Sequence, residues 1–316
     1  MRAKLLVSLL FLLALAGCYK VPDKIEPQVN YSVQDRYLKS LPAAFPPLSE
    51  EEKREEWGKE YLIAQKFSRE LDLYRAITTF KRAEFLLPPG YPQRLEEIQY
   101  QIILSYYLGK RYDDVIQTFD HSVLYNANAS FSAYCDLLVI MYDSYSETGQ
   151  QDKALYVFRI IQHHYPDIAK KLELSTAFLE GDLNKLREEE RIEPPKPFLT
   201  HFLETYDAKK KSVSKAQWAN ALLPGAGYLY VGQRQAALTS FLLNTLFIYA
   251  AVQFYSHGYI AAGIITTSFE MGWYFGGIYG AGEAAKYYNE WLYEKQAYPV
   301  LNRQKLFPVL MLKYGF

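Results

Sequence analysis

From Glu50 to about Arg187 apolar residues recur at helical spacing, and the pattern repeats itself. Ala76, Phe80 and Ala83 are matched by Val115, Phe119 and Ser122, then by Ala154, Phe158 and Ile161, each set 39 residues beyond the last. Pro88 and Pro166 keep twice that step, with Ala127 at the middle position. Upstream of each set lies a second amphipathic stretch, carrying Ile63, Ala64 and Phe67, then Ile102, Ile103 and Tyr106, then Tyr142 and Tyr145. A turn such as Glu147-Thr148-Gly149-Gln150 separates the two stretches. A fixed period of this size predicts a pair of helices stacked in an array, closed by a further capping helix at about 167–180. The pattern then breaks. Residues 183–197 pass from a charge cluster to Pro194, Pro195 and Pro197, which cannot continue a helix. Beyond them Ala236–Ser256 holds 21 residues without a charge, and Gly258–Gly282 holds 25 with Glu270 alone. Each run is long enough to cross a hydrocarbon core as a helix, and with only His257 between them they predict a tight helical hairpin. The fold class that follows is all-α, an array of helix pairs followed by a hydrophobic, membrane-associated hairpin.

The start of the chain adds a different signal. Arg2 and Lys4 precede an apolar stretch from Leu5 to Ala16, and the run leaves through Leu15-Ala16-Gly17-Cys18. A basic start, a short apolar core and a small-residue exit predict a secretory signal peptide over 1–17. The last four residues resemble the bacterial lipobox. That resemblance implies diacylglycerol on the Cys18 thiol, cleavage before it and acylation of the new amino group, a multiple anchor that holds stably where one acyl chain would not. Tyr19, in place of Asp, leans by the Gram-negative sorting rules toward the outer membrane, facing the periplasm, with the inner membrane as the alternative. Residues 18–48, with Val21-Pro22, Glu26-Pro27 and Phe45-Pro46-Pro47, are expected to act as a tether, part of which packs on the first helix through Tyr37 and Leu41.

The helix-pair array resembles the tetratricopeptide repeat (TPR) over residues 57–166. Small residues stand at Ala64, Ala76, Ala83 and Ala154, aromatic knobs at Phe80, Phe119 and Phe158, and helix-ending prolines at Pro88 and Pro166. Ile103 and Tyr142 depart from the small residue expected, and the period exceeds the usual 34. In TPR arrays the first helices line a groove; carried over by spacing, its inward positions are Tyr61, Gln65 and Arg69, then Tyr100, Leu104 and Tyr107, then Asp136, Val139 and Asp143. Aromatics with a few charges suit an extended peptide or a partner helix.

Ahead of the hairpin, Ala221 to Arg234 resembles the PGxGxxY entry of small two-helix membrane modules of the TM2-like kind. The resemblance covers about residues 214–295 and implies a tight bend at Pro224, Gly225 and Gly227, Tyr228 and Tyr230 at a membrane interface, and Arg234 reaching to headgroups. Gly272, Gly276 and Gly280 fall on one helix face at intervals of four, which would let another helix approach closely and supports an oligomer through the hairpin. Glu270 is the one acid inside an apolar run, a functional candidate against the plainer reading of a buried, hydrogen-bonded carboxyl. Export sets up a conflict. A spanning hairpin would place Lys209, Lys210, Lys211, Lys215, Arg234 and Lys286 all outside the cytoplasm, the reverse of the positive-inside rule. Three arrangements resolve it: a re-entrant hairpin with its basic rim on anionic headgroups, a buried core of a larger assembly, or a span that breaks the rule.

Chemistry is sparse. Lys+Arg and Asp+Glu both number 35, so no global charge attracts nucleic acid. With Cys18 lipidated, Cys135 would be the one thiol left, and its apolar neighbours make it structural. The histidines His121, His163, His164, His201 and His257 form no metal-ligand spacing, and neither a nucleophile elbow nor a phosphate-binding loop is present. No catalytic residue, metal or cofactor is therefore expected. The alternating Leu310, Leu312, Tyr314 and Phe316 resemble the closing signal of outer-membrane barrels, but the helical runs before them leave too little chain for eight strands. The expected organisation is a signal peptide (1–17), lipidated tether (18–48), repeat domain (49–182), charged and Pro-rich linker (183–200), hairpin domain (201–297) and tail (298–316). The function expected is a non-catalytic envelope scaffold that binds another envelope protein or peptide at a membrane. The alternative is a subunit of an envelope transport or secretion complex whose hairpin forms part of a pore or remodelling surface.

Overall fold

The structure is a computed structural model that describes residues 20–29, 35–192 and 196–316. The signal peptide and Cys18 lie outside the described residues. Among the described residues the chain is all-α; an isolated parallel bridge between Ala43 and Gly315 is the one β-type pairing. Contacts divide it into two compact units, one of Asn30–Phe178 with Pro299–Phe316, the other of Leu179–Tyr298 with residues 20–29.

The first unit contains α1 (Asp35–Ser40), then the pairs α2 (Glu56–Arg69) and α3 (Leu73–Leu86), α4 (Pro92–Leu108) and α5 (Tyr112–Asp120), and α6 (Tyr134–Glu147) and α7 (Gln151–His164), followed by α8 (Pro166–Leu179). The 39-residue period is written into the backbone of the turns. Leu71, Lys110 and Gly149 each take a positive φ, of 61°, 55° and 73°. The next residue in each case closes the preceding helix with the same long hydrogen bond: Asp72 N to Phe67 O, Arg111 N to Tyr106 O and Gln150 N to Tyr145 O, at 2.9, 3.0 and 2.8 Å. This is the left-handed C-terminal cap that turns a chain back on itself within two residues. The next helices start on cues of their own: the Asp72 carboxylate accepts from Arg75 N, and Pro92 occupies the first turn of α4. Ala76, Phe80 and Ala83 are fully buried on α3, as are Val115 on α5 and Ala154 and Ile161 on α7. The array departs from its period at α5, which stops at Asp120. Ser122, expected on that helix, lies beyond its end, and a 3-10 turn over Val123–Asn126 takes over, pinned by the Val123 amide on Gln99 Oε1.

In the second unit the stretch expected as a linker carries a helix, α9 (Leu183–Arg191). Its Asp182 cap accepts from Asn184 N and Lys185 N, and Leu186 is fully buried. α10 (Pro197–Lys209) and α11 (Val213–Leu222) follow, then the short α12 (Ala226–Val231), α13 (Arg234–Ser256) and the long α14 (Ile260–Arg303). Val21, from the segment expected to be a tether, is buried with Val213, Ala216, Val231, Ala284 and Ala285. Tyr293 packs edge to face on Phe202 and Tyr206 with centroids 5.2 and 5.8 Å apart, and the Asn289 side-chain amide binds the Lys211 backbone N–H and C=O, each at 2.7 Å.

Candidate functional site

The inward positions of α2, α4 and α6 do come together on one face, and most of them are buried there. Tyr61, Tyr100, Leu104, Tyr107, Asp136, Val139 and Asp143 are buried, Gln65 is half-buried and Arg69 is exposed. Two tyrosine–carboxylate pairs stitch successive first helices at the same sequence step. The Tyr61 hydroxyl donates to Glu97, and the Tyr107 hydroxyl donates to Asp143 Oδ2 at 2.6 Å. These expected binding side chains are spent on joining the repeats, because a buried hydroxyl and a buried acid each need a partner.

The rest of the face is covered by the chain itself. Arg94, which the repeat pattern did not single out, bridges Glu52 at 2.8 Å and Glu97 at 2.6 Å and also donates to the backbone oxygens of Pro46 and Pro47. Its guanidinium holds the Glu52 carboxyl below the usual carboxylate range, while burial raises Glu97 despite the bonds from Tyr61 and Arg94. Phe45 seats against Tyr100 and Phe131, the three rings 5.6–5.7 Å apart. So Phe45 and Leu48, from the stretch expected to be spacer, pack there, while Pro46 and Pro47 stay exposed.

The tail lies alongside. Asp136 Oδ2 accepts both the Lys313 amide at 2.8 Å and the Tyr314 amide at 2.9 Å, Gly315 N donates to Pro42 O at 2.9 Å, and the Tyr37 hydroxyl donates to Leu310 O at 2.9 Å. Leu310, Met311, Leu312 and Phe316 are buried. Burial pushes Asp136 up to about 6, against the opposing pull of the two amides and Lys313. Burial likewise pushes Asp143 up to about 7. Two cavities, about 350 and 240 Å³, remain at this end of the face. Leu38, Leu41, Leu71 and Phe316 line the first, Gln65, Glu97 and Gln101 line the second, and Arg69 lines both.

The hairpin motif is realised in part. Gly225 sits at φ 90°, its amide bonded to Asn220 Oδ1 at 2.8 Å, and Gly232 at φ 99° closes α12. A Cβ on Gly227 would overlap the Ala216 carbonyl oxygen and lie 2.7 Å from the Ala281 Cβ, so α12 packs directly against α11 and α14. Pro224 is half-buried and Arg234 is exposed. Tyr230, expected at a membrane interface, instead accepts the Ser212 amide at 3.0 Å and packs on the core of its unit. Of the three-glycine face, Gly280 meets the Tyr228 hydroxyl of α12, whereas the space around Gly272 and Gly276 is open among the described residues. α13 and α14 run antiparallel, since Tyr255 covers Gly263 while Gly277 lies beside Ser240 near the opposite end of α13. Among the described residues α13 alone is long and apolar enough to cross a membrane; Glu270, the hydroxyls of Thr266, Thr267 and Ser268 and the glycines lower the hydropathy of α14. Glu270 is buried, and neither of its oxygens has a hydrogen-bond partner among the described residues. No group of three or more His, Cys, Asp or Glu able to hold a metal is found among the described residues.

No family model, curated protein or solved structure matches this chain.

Proposed function

We propose that the chain is a non-catalytic scaffold of a bacterial cell envelope, lipidated at Cys18, that embeds α13 and the first half of α14 in a membrane and presents its TPR-like helix pairs to another envelope protein. One observation carries the membrane part. α13 is 23 residues long and its most apolar 18-residue stretch has mean hydropathy 1.5, yet only 22% of that stretch is buried by the other described residues. At 1.5 Å per residue that helix is about 34 Å long, against a hydrocarbon core of about 30 Å. Leu238, Leu242 and Leu246 on α13, and Ile264, Ile265 and Phe269 on α14, stand more than half exposed. Apolar patches of this extent mark a surface that lipid or protein covers. Trp218, Leu222 and Leu229, also exposed, extend the patch onto α11 and α12, where an interfacial Trp belongs.

The test is flotation of the full chain with phosphatidylethanolamine–phosphatidylglycerol vesicles, using an unlipidated form with Cys18→Ser so that α13 and α14 act alone. The wild-type hairpin floats with the vesicles, and Leu242→Lys with Leu246→Lys returns it to the soluble fraction. Flotation unchanged by the lysines, or absent without them, rejects the membrane role. The scaffold role is tested separately, by cross-linking in envelope extracts; recovery of no partner rejects it. A second reading, a subunit of a transport or secretion complex, draws on the open faces of Gly272 and Gly276 and the unpartnered Glu270. It requires oligomeric rings and loss of function on Gly276→Leu or Glu270→Gln.

A further inference from the structure

We propose that residues 312–316 are a displaceable resident ligand of the α2–α4–α6 face, and that a segment of a partner chain with the same bent backbone takes their place on Asp136. The inference rests on the scaffold reading and names what the face recognises. Recognition of the resident tail is by backbone: Lys313 N and Tyr314 N on Asp136 Oδ2, Gly315 N on Pro42 O. Two successive amides converge on one oxygen, so the backbone is bent at Lys313, and any segment that takes this bend carries the same amides whatever its side chains. Selectivity comes from the sockets that bury Leu312 and Phe316.

Three groups show that the face has more capacity than its resident uses. Asp136 is 1% exposed, and its second oxygen, Oδ1, has no hydrogen-bond partner among the described residues. Gln101 is 2% exposed and lines the smaller cavity, and its Oε1 also has none. Arg69 lines both cavities and forms no ion pair among the described residues, and Phe316 borders the larger one. A buried acceptor left unbonded is costly, so a ligand that supplies donors to it gains over one that does not. The partner segment therefore repeats the tail's bend on Asp136, places a bulky apolar residue in the Phe316 socket, and continues into the cavities with a hydrogen-bond donor for Gln101 and an acidic side chain for Arg69.

The probe is a fluorescent synthetic peptide, the sequence of residues 308–316 extended by two glutamates, titrated against the full chain and read by anisotropy. In the full-length Tyr314→Pro variant the tail loses one amide to Asp136 and leaves the face. The probe then binds at least about tenfold tighter than to wild type, because the tethered competitor is gone. Asp136→Leu abolishes probe binding in both backgrounds, and removal of the two glutamates weakens it only while Arg69 is present. Hydrogen exchange on the wild-type chain gives a readout independent of the variants' folding: saturating probe speeds exchange of the Lys313 and Tyr314 amides. Equal affinity for wild type and Tyr314→Pro, or no acceleration of those amides, overturns the proposal. So does concentration-dependent dimerisation of wild type that Tyr314→Pro removes, which would make another copy's tail the second occupant. Cross-linking that captures a partner insensitive to Tyr314→Pro and Asp136→Leu sinks this inference while leaving the scaffold reading intact.

Discussion

Replacing Gly227 by Ala and, separately, Gly276 by Ala should move stability in opposite directions. At Gly227 the new methyl would overlap the Ala216 carbonyl oxygen and lie 2.7 and 2.9 Å from the Cβ atoms of Ala281 and Asn220. None of these can swing aside as the far end of a side chain could, so α12 must lift from α11 and α14. Overpacking of this kind costs about 1–3 kcal/mol, and the backbone contact puts Gly227→Ala toward the upper end. At Gly276 nothing lies within 4 Å. The same change there only exchanges the poorest ordinary helix former for the best, a gain of about 0.8–1 kcal/mol. The two variants should therefore differ by about 2–4 kcal/mol. For a unit of this size each kcal/mol moves Tm by about 2–4 °C. Thermal unfolding of the full chain in detergent micelles, followed by far-ultraviolet circular dichroism, measures this directly. A Gly276→Ala variant destabilised as much as Gly227→Ala would refute the distinction, since only an unseen helix packed on Gly276 could produce that cost.

Further outcomes follow from the first unit. Asp143 is buried and its pKa is raised from 3.8 to about 7, so the folded state binds the proton more tightly than the unfolded chain. Its contribution is fully present below about pH 4 and is lost as pH rises through about 7, on the order of 4 kcal/mol across the window. Asp143→Asn should flatten that part of the urea-unfolding profile between pH 4 and 7, and a profile as steep as wild type would count against it. Lys110 holds φ 55° in the turn between α4 and α5, and Lys110→Gly should stabilise the fold by about 1 kcal/mol by removing the left-handed penalty, read as a higher urea midpoint. Arg94→Met should destabilise by about 3–5 kcal/mol, because it leaves Glu97 buried without its cation, and adding Glu97→Gln should restore part of the loss. An Arg94→Met variant as stable as wild type would show that the network contributes nothing.

The period of the helix pairs was legible because small and aromatic residues recur at the core-facing positions of α3, α5 and α7, and the turns obey the same step. Leu71 and Lys110 carry no chemical mark of a left-handed conformation, so the turns themselves show only in the backbone. α5 ends early for a reason that a periodic pattern hides: the chain past Asp120 is claimed by a hydrogen bond to Gln99, a residue of α4. The charge cluster running into Pro194, Pro195 and Pro197 reads as linker, yet one fully buried leucine, Leu186, and a capped first turn suffice to order α9.

What sequence spacing cannot supply is the identity of the covering group. An inward Tyr or Asp predicts burial, and the burial is there, but the atoms that cover Asp136 come from residues 177 and 178 positions away. Their alternating pattern pointed to a strand, whereas a backbone docked through its amides needs no strand partner along its length. The 36-residue step shared by Tyr61–Glu97 and Tyr107–Asp143 was visible in principle, and it marks these side chains as ties between repeats. The consequence for function is an asymmetry between two surfaces. The repeat face holds the tail beside two open cavities, so under the proposed exchange a partner's affinity is set by how firmly the tail is held. On α13 and the first half of α14 most apolar side chains are left uncovered by the described residues, so the proposed membrane association has no resident to displace there and scales with the area covered.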